Sequence, residues 1–121
     1  MKRYFLLLCL CLPLAGCPTA STTTPPAALA PGYTSQFDQK AGQALAAAHA
    51  MVSQAVADYL SLSVAQQAAD KPILNSFVVA VNTADAVYLA FHNNQATQAQ
   101  VQAQLKSVST AQANYTALGV K

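Results

Sequence analysis

Residues 73–91 read ILNSFVVAVNTADAVYLAF, and the spacing of their apolar side chains carries the architecture. Ile73, Phe77, Ala80, Ala84, Val87 and Phe91 follow at steps of three and four, the repeat that lines up one face of an α-helix. Leu74, Val78, Val81 and Tyr88 widen that face, so this helix is expected to be the most buried element.

The same spacing recurs on both sides. Upstream, Ala41, Leu45, Ala48, Val52, Ala55, Tyr59 and Leu62 form a second stripe. Ser35 with Asp38 three residues later reads as a capping box that has Asp in the usual Glu place. Asp70-Lys71-Pro72 marks the break between the two helices, because proline suits a first helical turn and disfavours helix in the residue before it. Downstream, His92-Asn93-Asn94 interrupts the pattern, and Thr97 with Gln100 offers another capping box. A third stripe follows, Val101, Leu105, Val108, Gln112, Tyr115 and Leu118, with Gly119 where a C-terminal cap belongs.

Helices at about 36–68, 72–92 and 97–118 joined by short breaks predict an all-α fold, a small up-down-up three-helix bundle over 35–121. The first helix would then be the longest, either bending near Ser61-Leu62-Ser63 or extending past the bundle. The many Ala residues would let the helices approach closely. A small, Ala-rich core buries little apolar area per residue, so stability is expected to be modest unless association adds to it.

Residues 18–31, PTASTTTPPAALAP, have no apolar periodicity. Such a stretch cannot form a core and reads as a flexible tether, placing a linker over 17–34. Before it, Lys2 and Arg3 precede a Leu-rich run from Tyr4 to Leu12 that closes on small residues. These are the three regions of an export signal, too short to cross a bilayer as a stable helix. The run ends in Leu14-Ala15-Gly16-Cys17, which resembles the lipobox of bacterial lipoproteins. The resemblance implies a signal peptide over 1–16, removed by signal peptidase II, and Cys17 as a lipidated N-terminus. Cys9 and Cys11 would leave with the signal, so the mature chain could form no internal disulfide. Acyl chains, each buried methylene contributing about 0.8 kcal/mol, would hold the protein on a membrane. By the same resemblance, Pro18-Thr19 after the cysteine, in place of an Asp, favours the outer membrane, facing the periplasm.

Composition looks different once that signal is set aside. The full chain carries a formal charge of +2, supplied by Lys2 and Arg3. Beyond them, Lys40, Lys71, Lys106 and Lys121 are balanced by Asp38, Asp58, Asp70 and Asp85. No basic patch remains to neutralise phosphates, which argues against a nucleic-acid partner. A surface made polar by Gln rather than by charge favours self-association or docking onto another envelope component.

Residues with chemical potential are few. His49 and His92 are the only imidazoles, and a turn at residues 70–71 would set them at similar heights, with Asp85 on the face of His92. A two-His, one-carboxylate metal site can be drawn from them, but both histidines fall beside the apolar stripes, where solvated side chains are expected. No Gly-x-Ser-x-Gly elbow, Ser-x-x-Lys or Gly-rich phosphate loop occurs. The carboxylates are expected near helix ends or on exposed faces, with no pair in an apolar setting that could separate two pKa values. No catalytic site and no cofactor are implied, and the chain is expected not to be an enzyme. The aromatics Tyr59, Phe77, Tyr88, Phe91 and Tyr115 are expected to pack in the core with their hydroxyls reaching solvent.

The expected function is therefore that of a membrane-anchored, periplasm-facing lipoprotein that binds or scaffolds, with another envelope protein or an identical copy as partner. Two alternatives follow from further resemblances. In general design the chain is similar to the lipoproteins by which phages and prophages block reinfection. It is also similar to the major murein lipoprotein in its lipobox cysteine, Ala-rich helix and final lysine, which would make Lys121 a peptidoglycan attachment point. It departs from that family in Pro72, in its two breaks, and in Leu118-Gly119-Val120 before the lysine.

Overall fold

The computed structural model describes residues 28–119. Three helices account for most of them: α1 (Gln36–Leu60), α2 (Val64–His92) and α3 (Gln98–Ala117). They run up, down and up, as the all-α three-helix reading expected. The antiparallel course of α1 and α2 is marked by Tyr88 against Asp38 near one end and by Asp85 against His49 nearer the middle. Tyr115 of α3 reaches the Ala55 carbonyl of α1 at the other end.

Each start is fixed by a side chain that takes up an orphan backbone N–H. Ser35 accepts from the Asp38 N–H, and Ser63 and Thr97 form full capping boxes with Gln66 and Gln100. Helix α2 ends in a Schellman motif. Asn94 takes a left-handed φ of 56°, its N–H bonds to the Phe91 carbonyl, and the Gln95 N–H bonds to that of Ala90. Gly119, with φ 55°, follows α3 in the same conformation.

The break between the first two helices lies at Ser61–Ser63, not at Asp70–Pro72. Helix α1 is consequently 25 residues long and α2, at 29, is the longest. Pro72 sits inside α2, where it gives up one backbone hydrogen bond to the preceding turn. Capping outweighs it. The Ser63–Gln66 box starts α2, while the Gln67 amide donates to the carbonyls of Tyr59, at the end of α1, and of Leu62, in the turn. Groups at both helix ends of this turn are thus bonded within the nine residues from Tyr59 to Gln67.

The core is a column of small and medium side chains: Leu45 and Ala48 from α1, Phe77, Val81 and Ala84 from α2, and Val108 from α3. The stripes on α1 and α3 match the observed inner faces. On α2 the inner face is centred on Leu74, Phe77, Val81 and Ala84, while Ile73, Ala80, Val87 and Phe91 are only partly covered. Nor is α2 the most buried helix: it has four fully buried residues against five on α1. Residues 30–34, expected to belong to the free tether, are bonded to the bundle. The Ala30 N–H donates to Gln39, and Thr34 donates to Asp38.

Candidate functional site

Two His–Asp pairs join α1 to α2, and between them they account for both described histidines. The first is built on Asp38 in the opening turn of α1. Its carboxylate is fully buried, although an Asp at this position reads in sequence as a solvent-facing cap. Instead of closing a box on Ser35, it reaches back one residue further. Oδ2 accepts from the Thr34 N–H at 2.8 Å and from the Thr34 hydroxyl at 3.0 Å. Oδ1 accepts from the Tyr88 hydroxyl at 2.8 Å, and Nε2 of His92 lies 2.9 Å from the same oxygen.

Burial by itself pushes the Asp38 carboxyl up, but these partners outweigh it. The Thr34 N–H, the hydroxyls of Tyr88 and Thr34, and the charge of His92 hold it below the ordinary value of 3.8. The Tyr88 hydroxyl moves the other way, well above its ordinary value of 10. Burial is the main cause, and Asp38 adds to it through its hydrogen bond and its charge.

Aromatic packing closes this end of the bundle. Tyr88 meets His92 edge-on at 4.7 Å, and Phe37 meets Phe91 edge-on at 5.6 Å. Gly42, one turn after Asp38, makes the approach feasible. A Cβ there would lie 2.8 Å from both the Tyr88 hydroxyl oxygen and Cε1 of Tyr33. The tyrosine hydroxyls were expected at solvent, yet Tyr88 ends on Asp38 and Tyr115 on the Ala55 carbonyl.

The second pair is His49 with Asp85, Nε2 to Oδ2 at 2.5 Å, with side chains 51 % and 32 % exposed. The candidate metal set of His49, His92 and Asp85 is therefore divided: Asp85 goes to His49, and His92 goes to Asp38. The division follows from the turn. Moving the break from residues 70–71 to 61–63 slides α2 along α1, so that His92 passes the level of His49 and reaches the first turn of α1. Among the described residues, no three His, Cys, Asp or Glu side chains gather in a way that could hold a metal ion.

Chemically, the Asp38 hub is saturated. Its oxygens are occupied by three hydrogen bonds and a histidine, and its one hydroxyl with a perturbed pKa is held protonated, so it contains no activated nucleophile. A shallow groove between α2 and α3 is lined by Ile73, Ser76, Lys106, Ser107, Thr110 and Asn114, among others. Its Ser76, Ser107 and Thr110 hydroxyls donate back to carbonyls of their own helices. Cys17 and Lys121, the expected lipidation and peptidoglycan positions, lie outside the described residues, as does the expected signal peptide over 1–16.

Asp38 is the residue that reading the sequence missed. Gly42 was the available signal, since a glycine inside a helical stripe marks a close approach by another group. No known protein family, curated protein or solved structure matches the chain.

Proposed function

We propose that this protein is a lipoprotein of the cell envelope, held on the outer membrane by an acylated Cys17 and facing the periplasm, where its helical bundle acts as a binding or scaffolding module. The observation that carries the reading is Leu14-Ala15-Gly16-Cys17 at the close of a Leu-rich run behind Lys2 and Arg3, followed by a Pro/Thr-rich stretch. A bundle whose buried side-chain polar atoms are all partnered among the described residues, and whose outward face retains Val64, Val79 and Leu89 at 60 % exposure or more, suits a role in contact rather than in chemistry.

The test is metabolic labelling with a palmitate analogue in a bacterial host. The unsubstituted chain should carry the label and sediment with membranes, whereas Cys17→Ser should lose the label and become soluble. An unlabelled wild-type chain, or a label that persists in Cys17→Ser, would overturn the reading.

A further inference from the structure

Helix α2 combines two properties that rarely occur together. By length and composition it is apolar enough to cross a membrane, yet only 22 % of its most apolar stretch is buried in the bundle. A helix of this mean hydropathy normally buries a larger share of its surface. The inner face of α2 has its partners in α1 and α3, and the outer face has none among the described residues.

That outer face has an internal symmetry. Ala68, Lys71 and Asn75 precede its centre, Asn82, Ala86 and Leu89 follow it, and all six are exposed. The steps among these six are three and four, then seven, then four and three, so Ala68 mirrors Leu89, Lys71 mirrors Ala86, and Asn75 mirrors Asn82. Their midpoint falls between the half-buried Val78 and Val79, and Val79 is 60 % exposed.

We propose that this face of α2 pairs with the same face of a second copy of this chain, antiparallel, about a two-fold axis at Val78–Val79. The arrangement sets each Asn75 against Asn82 of the other copy, where two carboxamides satisfy each other. Each Leu89 packs on Ala68 of the other copy, large against small. Lys71 and Asp85 lie on one flank of the stripe, and a perpendicular two-fold brings equal flanks together. Each lysine therefore lays its stem over Ala86 of the other copy and its ammonium beside that copy's Asp85. A parallel pair would instead bring Lys71 towards Lys71. A lipid surface is the poorer occupant, because hydrocarbon solvates neither the two asparagines nor Lys71. The inference deepens the proposed function by naming the partner of the module.

Disulfide trapping in the full chain tests it. Val79→Cys, Asn75→Cys and Asn82→Cys are each made singly, and a mild oxidant is added to cells, with the unsubstituted chain as the reference for Cys17. Val79→Cys should give a crosslinked homodimer at about ten times the yield of either asparagine variant alone. Antiparallel pairing separates equivalent Asn75 positions by seven residues of rise, about 10 Å along the axis, beyond disulfide reach. Co-producing Asn75→Cys with Asn82→Cys should restore the crosslink. In sedimentation of the detergent-solubilised full chain, Val79→Lys should weaken the dimer about tenfold or more, with its helical circular dichroism unchanged.

Self-crosslinking of Asn75→Cys as efficient as that of Val79→Cys would replace the proposal with a parallel pair. Adducts of Val79→Cys with a different protein, or no crosslink and a monomer in sedimentation, would end it. Palmitate labelling of the same variants is scored separately. Labelled protein without a crosslink removes the pairing and leaves the anchor, and a crosslink without label does the reverse.

Discussion

The same two helices make two His–Asp pairs, and the closer pair is the more exposed. His49 and Asp85 approach to 2.5 Å in a setting where water reaches both side chains. His92 and Asp38 stand at 2.9 Å, but Asp38 is wholly buried and shares its oxygens with Thr34 and Tyr88. An exposed ion pair exchanges one set of hydrated contacts for another and is screened by salt. A buried carboxylate has no such alternative, so every donor around it must stay in place. Surroundings, not separation, set what each pair contributes.

The sharpest way to break this contrast is Asp38→Ala. It leaves the Tyr88 hydroxyl, the Thr34 N–H and the His92 ring without their acceptor, and should destabilise the bundle by about 3 kcal/mol in chemical denaturation. A loss near that of the exposed pair would show that the hub is no more than a surface contact.

Acidity acts on the same group. The folded Asp38 carboxyl titrates below its ordinary 3.8, so its stabilisation is complete above that value and is lost as pH falls through the folded value. Thermal melts should therefore show stability falling below about pH 4, with a shallower fall in Asp38→Asn. Tyr88 has the opposite sign. Its raised pKa makes stability decline as pH climbs past the ordinary tyrosine value, a decline that Tyr88→Phe should reduce.

Gly42→Ala sharpens the comparison by its sign. At an open helical site the change would stabilise by about 1 kcal/mol. Here the added methyl meets Tyr88, which Asp38 holds in place, so we expect a net loss of about 1 kcal/mol in unfolding free energy, read from chemical denaturation. His49→Ala comes last. It should shift stability by less than about 0.5 kcal/mol, and any effect should fade in high salt.

Much of the architecture could be read from spacing. The stripes on α1 and α3 run at three-four steps and face inward as expected, and Thr97–Gln100 and Gly119 bound α3 as their chemistry requires. The turn was misplaced because Pro72 is a louder signal than Ser63-x-x-Gln66. A proline's cost is visible in one residue, whereas the gain from Ser63, Gln66 and Gln67 appears only when two helix ends meet. The buried hub was illegible for a similar reason. Asp38 and Tyr88 are 50 residues apart, and an Asp in a first turn normally reads as a cap. Once the turn moves, the partner of His92 changes with it, so a single misreading accounts for both the helix lengths and the undivided metal set.

The bonds from Thr34 to Asp38 also have a mechanical meaning. The chain enters the bundle through residues 30–34, and Thr34 is attached there to a carboxylate that Tyr88 and His92 hold from the other helix. A pull arriving along the preceding segment is thus shared between α1 and α2 at their common end. Peeling the first turn of α1 away would also have to break the bonds from Tyr88 and His92.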